Sequence, residues 1–415
     1  MKLLFLAHRI PYPPNKGDKI RSFHELRALA ERGHEVHLLA FADELQDLAH
    51  QVDLAHWCAS VRIVRLRPAL ATLKTAATCW RNRSMSLTYF DSWRMRRLVR
   101  RALAEHEFDA VFVYSSAMAQ YVPQELTART VVDLVDIDSE KWRAYALNAR
   151  APKARLFQVE AERLRAYEYE IVARFPYTVV TTQREAALLD ELDEFTRRAR
   201  LRVITNGVDL EYFQPQDVVA LPDTPRLVFT GAMDYDANIS GVRWFLTEVW
   251  PLIQASEPRT EFFVVGRNPT REVRAWRHLP GVRVTGAVED VRPFLHSATA
   301  VVVPLRVARG VQNKVLEALA AGKALVATPD AVAGLRVTEQ EQLLLGATPA
   351  AFADAVLKLL RDGEWRAFLG EQARRWVERE HRWQTPLQKL LELIEAVGTR
   401  PQTHNQTNVR ALARH

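Results

Sequence analysis

Two short stretches concentrate the side chains able to do chemistry. In the first, residues 300–328 read AVVVPLRVARGVQNKVLEALAAGKALVAT, and Arg306, Arg309, Gly310, Asn313, Lys314 and Glu317 fall close together. A glycine-bearing turn leading into a helix aims free backbone amides at that turn, which makes an anion site, most often for phosphate. Cationic side chains around it suit the same ligand. Lys314 and Glu317, three positions apart, also fit an exposed salt bridge worth about a few tenths of a kcal/mol. In the second stretch, TVVDLVDIDSEKW, the carboxylates Asp133, Asp136, Asp138 and Glu140 gather at the end of an apolar run. Neighbouring carboxylates repel one another, so one of them can hold its proton to higher pH and serve in proton transfer. Asp136 is the leading candidate and Asp138 the second. The pair also fits an Asp-x-Asp metal motif, or simply an N-cap and a solvated loop.

Both stretches need parallel strands to carry them. The apolar run at 298–304 reads as a strand buried on both faces, ended by Pro304. From Val311 the spacing turns helical, with Val315, Leu316 and Leu319 as the apolar stripe, and Gly322 stops the helix. Further strands are expected at 2–7, 35–40, 61–65, 110–114, 130–135, 177–181, 202–205, 227–230, 262–265, 282–286 and 343–346, with helical stretches between them. This alternation predicts an α/β chain with doubly wound parallel sheets, whose ligands lie beyond the carboxyl ends of the strands. The first loop, HRIPYPPNKGDK, ends in Gly17 and Asp18, with Asp18 a suitable N-cap for the helix from Lys19. One glycine is not a dinucleotide fingerprint. Gly17 serves either close backbone approach or the turn alone. The turn Asn206-Gly207 needs no chemistry to explain it.

Bulk properties bound the rest. A chain of 415 residues, 48% apolar, exceeds what one hydrophobic core organises, so two domains are expected. Cys58 and Cys79 cannot build a disulfide framework. No run approaches the roughly 18 apolar residues of a membrane-spanning helix, and the short apolar start at 1–7 lacks the features of a signal peptide. The expectation is a soluble, reduced, cytoplasmic protein. A net charge of +7 and a pI near 9.5 suit anionic partners. The densest basic run, WRMRRLVRR from Trp93 to Arg101, reads either as a solvated helix face or as a surface resting on the inner face of the cell membrane. Zinc spacings and nucleic-acid-binding motifs are absent, so no nucleic-acid partner is expected.

The string RGVQNKVLEALAAGKALVAT resembles the nucleotide-binding helix of GT-B glycosyltransferases of family 4, whose pattern is two glutamates eight positions apart, then Ala and a Gly before the next strand. Glu317, Ala318 and Gly322 fit, while Arg309 stands where the first glutamate belongs. The fuller string is similar to sugar transferases associated with PEP-CTERM and exosortase exopolysaccharide loci, over residues 1–397. The resemblance implies a GT-B fold: two Rossmann-like domains facing a central cleft, at 1–206 and 226–383, joined by a linker at 207–225. A helix at 384–397 would pack back on the first domain, before a disordered tail at 398–415. Glu317 would hold the ribose hydroxyls of a nucleotide-diphosphate sugar. Gly17 would approach the diphosphate, and Gly231 and Met233 of the GxMxYxxN form would line the donor pocket. That form lacks the arginine and lysine usual after the glycine, which leaves Arg267, Arg309 and Lys314 to neutralise the diphosphate, with Gly310 and Asn313 beside them. Val288 would help seat the base on main-chain groups.

By the same resemblance the reaction is sugar transfer to a lipid-linked or other glycan acceptor on the first domain, with retention of configuration and without metal or other cofactor. Two alternatives share the fold. One is a sugar-nucleotide 2-epimerase, and the other is an inactive nucleotide-sugar-binding protein.

Overall fold

The computed structural model describes residues 1–14, 16–78, 83–189, 192–216 and 223–399. Cys79 lies outside them, as do part of the linker expected at 207–225 and all but the start of the tail expected at 398–415.

Among the described residues thirteen strands form two sheets, parallel throughout. The first holds β1 (Lys2–Ala7), β2 (Glu35–Ala42), β3 (Ser60–Arg65), β4 (Ala110–Tyr114), β5 (Thr130–Val135), β6 (Tyr177–Val180) and β7 (Leu201–Val203) in the order β3-β2-β1-β4-β5-β6-β7. The second holds β8 (Arg226–Thr230), β9 (Glu261–Val265), β10 (Val282–Gly286), β11 (Ala300–Val303), β12 (Leu325–Ala327) and β13 (Leu344–Leu345) in the order β10-β9-β8-β11-β12-β13. Both are doubly wound, with the order reversing beside the first strand of each sheet. Strands such as β1 and β11 are continuous apolar runs because helices cover both faces of the sheet.

Seven helices position or flank the sites: α1 (Gly17–Glu31), α2 (Pro68–Thr78), α3 (Trp93–Glu105), α4 (Asp138–Asn148), α5 (Lys153–Arg174), α6 (Asn313–Ala320) and α7 (Gln384–Gly398). α7 comes after the second domain in sequence, yet Leu387, Leu390, Ile394 and Val397 join the core of the first sheet with Leu3 and Phe5.

Two local expectations are corrected. Asp18 is not the N-cap of α1. The helix already begins at Gly17, and Asp18 sits in its first turn, where it pairs with Arg9. α6 begins at Asn313 rather than Val311, because Gly310 takes a left-handed φ of 56° and the chain turns helical only after Gln312.

Candidate functional site

The carboxyl ends of the two sheets face each other, and the loops leaving them meet. On the second domain, β8 runs into Gly231, where a Cβ would stand 2.8 Å from Asn238 Nδ2 and 3.0 Å from Lys314 Nζ. Only glycine leaves that space. Asn238 is fixed by donating to the Ala232 carbonyl at 2.8 Å, and it accepts a hydrogen bond from Lys314 Nζ. The ammonium also lies 4.6 Å from the centroid of the Phe229 ring. No carboxylate among the described residues comes within ion-pair distance of it. Glu317, one turn further along α6, likewise has no ion-pair partner there.

Lys314 and Glu317 keep some solvent-exposed area but are enclosed by the walls of the cleft. Loss of hydration lowers Lys314 to about 7 and raises Glu317 to about 7, each shift partly offset by the other's charge. The exposed salt bridge is therefore not what the fold builds. The α6 N-terminus has no side-chain cap, and the amides of Asn313 and Lys314 have no acceptor among the described residues. Arg267, half-buried after Gly266, has no side-chain partner among the described residues. Met233 is fully buried. Its amide donates to the Arg267 carbonyl at 2.8 Å, so it braces the loop from the core and its side chain does not face the cleft. Val288 packs, half-buried, against the same core.

Across the cleft, β5 ends in an unusual backbone. Val135 takes φ 69°, a strained conformation for a β-branched residue, where the β5–β6 register shifts. Asp133 Oδ1 holds this bend by accepting the Val135 amide at 2.7 Å. The next residue, Asp136, is thereby turned toward Gly310, close enough that a Cβ on Gly310 would collide with its carboxylate. Burial, then the charges of Glu185 and Asp138, raise Asp136 to about 7. Asp138 opens α4, half-buried. Arg309 spans the gap between the domains, its charge acting on Tyr235 of the second domain and Glu185 of the first. Its Nη2 donates to the Glu140 carbonyl of the first domain at 2.6 Å, latching the two domains together. Gly17 faces α6, a Cβ there standing 3.8 Å from Asn313 Nδ2. The fold thus gathers Gly17, Asp136, Gly310, Asn313, Lys314 and Glu317 around one gap. Among the described residues, no group of three or more His, Cys, Asp or Glu side chains is placed to hold a metal ion.

Two contributors leave little trace in the sequence. Arg21, 1% exposed, donates from Nε and Nη2 to Asp133 Oδ2 at 2.8 and 2.6 Å and from Nη1 to Asn206 Oδ1 at 2.8 Å. Asn206 Nδ2 in turn donates to Asn313 Oδ1 at 2.9 Å, joining the first domain to the start of α6. The one signal for Arg21 is that it and Glu25 stand at helical spacing on the apolar stripe of α1. Asn206 reads as turn chemistry because its partner lies more than a hundred residues away. Replacing Arg21 by Met should cost about 3–5 kcal/mol, because buried Asp133 and Glu25 lose their counter-charge. Urea denaturation measures this, and a loss below about 1 kcal/mol would contradict the network.

Residues 22–212 match the model for Glycosyltransferase Family 4, and residues 224–362 match that for glycosyl transferases group 1. The chain is 25% identical over 269 residues to D-inositol 3-phosphate glycosyltransferase of Corynebacterium urealyticum, an alignment spanning 59% of this chain and 62% of that protein. Sucrose-phosphate synthase from Thermosynechococcus elongatus superposes with a TM-score of 0.69 at 17% identity, over 96% of this chain and 99% of that one. Anabaena HepE, solved in complex with UDP, superposes with a TM-score of 0.66 at 14% identity, over 95% and 100% of the two chains. With a family 4 domain followed by a group 1 domain, and two doubly wound sheets meeting at their carboxyl ends, the chain is a glycosyltransferase of the GT-B type.

Proposed function

We propose that this chain transfers a sugar from a nucleotide-diphosphate sugar to a lipid-linked glycan in exopolysaccharide assembly, with retention of configuration and without metal. The observation that carries the donor side is the enclosed Lys314, with no carboxylate within ion-pair distance among the described residues and set beside the uncapped amides of α6. Those groups suit a diphosphate, and Glu317 suits the hydroxyls of the attached ribose. Anabaena HepE has been solved with UDP and with UDP-glucose, so UDP-sugars head the panel of donors to test.

As the glycosidic bond to the diphosphate breaks, negative charge grows on the leaving group, where Lys314 and the amides of Asn313 and Lys314 stabilise it. Arg267 is the further cation within reach of that end of the cleft. Asp136, projecting from the acceptor-side domain, faces the sugar as a carboxylate, where it stabilises developing positive charge or takes the acceptor's proton. Arg309, bonded to the Glu140 carbonyl, holds the domains closed over the donor. The acceptor docks on the first domain, whose basic α3 rests against the inner face of the membrane.

Calorimetry against UDP-, GDP- and ADP-sugars tests the donor side, and one nucleotide should bind at least tenfold more tightly than the others. No binding by any of them would sink the proposal. Activity should be unchanged in EDTA, whereas recovery only on adding Mg²⁺ or Mn²⁺ would return Asp136 and Asp138 to metal ligation. Product analysis without acceptor separates transfer from epimerisation, since only an epimerase would release an altered nucleotide sugar.

A further inference from the structure

Each wall of the cleft carries an exposed tyrosine outside the gap around Lys314. On the first domain, α4 opens with Asp138, two residues after Asp136, and holds Lys141, Trp142 and Tyr145 within its first turns. Trp142, half-buried, donates from Nε1 to Ser86 Oγ at 3.1 Å, and Ser86 Oγ donates in turn to Glu160 of α5 at 2.8 Å. Its ring stands perpendicular to that of Tyr145, with centroids 5.9 Å apart, and both pack against Phe157 of α5 at 5.4 and 6.1 Å. Tyr145 is thus braced by two rings while 38% of it stays exposed.

On the second domain, Tyr235 ends the turn that starts at Gly231. Its carbonyl accepts the amides of Asn238 and Ile239 at 3.0 and 3.1 Å, which fixes the residue at the start of a helix, and 53% of it is exposed. The enclosing walls raise the Tyr235 phenol above its ordinary value, and Lys141, Tyr145, Asp136 and Arg309 lie close enough for their charges to act on it. Arg309 joins the walls here through its bond to the Glu140 carbonyl, one residue before Lys141. Neither phenol hydroxyl has a hydrogen-bond partner among the described residues, and Lys141 has no ion-pair partner there.

A simple anion would use Lys141 and needs no rings, and an alkyl chain needs no hydroxyls. A pyranose uses all of them, laying its C–H face on an aromatic ring while its hydroxyls pair with phenols and an ammonium. A sugar held there stands beside Asp136, where a carboxylate can take the proton of an attacking hydroxyl.

We infer that Tyr145 and Lys141 of the first domain and Tyr235 of the second form the subsite that holds the terminal sugar ring of the acceptor. The inference deepens the proposed function and rests on its reading of the acceptor as a glycan. Because the two tyrosines belong to different domains, the subsite is complete only where the domains meet.

The test is transfer from the donor that calorimetry selects to octyl glycosides of glucose, galactose and mannose, with rates followed against glycoside concentration. Tyr145→Ala and Tyr235→Ala should each raise the KM for the glycoside by at least about fivefold, the loss of one ring contact and one hydrogen bond. Tyr235→Phe, which keeps the ring and loses the hydroxyl, should raise it by less. Circular dichroism and calorimetric donor affinity should match the wild type in all three variants, which separates a lost acceptor contact from a disturbed fold. Wild-type KM in both alanine variants overturns the inference and leaves the glycan acceptor standing. Loss of donor affinity in either alanine variant also overturns it, because that ring would then belong to the donor site. If the wild type extends none of the glycosides, the sugar subsite falls together with the glycan acceptor.

Discussion

Lys314→Ala is expected to weaken donor binding by about a hundredfold or more while leaving the fold intact. A desolvated charge-assisted bond to a diphosphate contributes about 1.5–3 kcal/mol, which corresponds to roughly ten- to a hundredfold in affinity. The loss should reach the upper end because the ammonium stands beside uncapped amides that act on the same ligand. Stability should not fall with it. The fold lowers Lys314 to about 7, so below its ordinary value the folded state disfavours the charged form. Removing the side chain relieves that penalty at neutral pH, and the melting temperature should hold or rise.

The pH dependence of binding comes from the same shift. A bound diphosphate raises Lys314 above its value in the empty site. Between those two values binding takes up a proton, so affinity falls as pH rises beyond about 7. Calorimetry in buffers of different ionisation enthalpy measures that uptake. Glu317→Ala should lose comparable affinity, because its carboxylate is enclosed, without an ion-pair partner among the described residues, and near enough to Lys314 for their charges to interact. Wild-type donor affinity in both variants would remove the basis of the assigned pocket.

The second large effect belongs to Asp136. Asp136→Asn should lower kcat by about 10²–10⁴-fold, the range for a group that handles a proton or a developing charge, while donor affinity changes by less than about threefold. Burial and the neighbouring Glu185 and Asp138 raise this carboxyl to about 7. If the reaction uses it ionised, wild-type kcat must fall as pH drops below about 7, and the asparagine variant should show no such limb. A variant that keeps both the rate and the acid limb would exclude Asp136 and move attention to Glu185, which accepts the Ile137 amide at 2.6 Å beside it.

Much of the architecture was legible because it repeats short-range rules. Continuous apolar runs located the strands to within a residue or two, and alternation with helices implied parallel sheets. The polar residues of α6 were legible for the same reason, since helical spacing alone puts Asn313, Lys314 and Glu317 on one side. Arg309 was not. Counting along the motif assigned it to the donor diphosphate and could not show its bond to a carbonyl in the other domain. Met233 misled in a similar way, because a position in a motif says nothing about which way a side chain points.

What the amino-acid order determined by itself is local: where strands end, where glycine must stand, and which helix offers amides and a lysine. Tertiary structure alone decided the protonation behaviour and the facing partners. Desolvation acts on Lys314, Glu317 and Asp136 only after the walls around them are assembled. Arg21, Asp133, Asn206 and Asn313 become one hydrogen-bonded chain only when two sheets, folded from distant parts of the sequence, meet at their carboxyl ends. Hydration free energy and Coulomb attraction depend on distance in space, and residue spacing specifies that distance only within a single helix or strand.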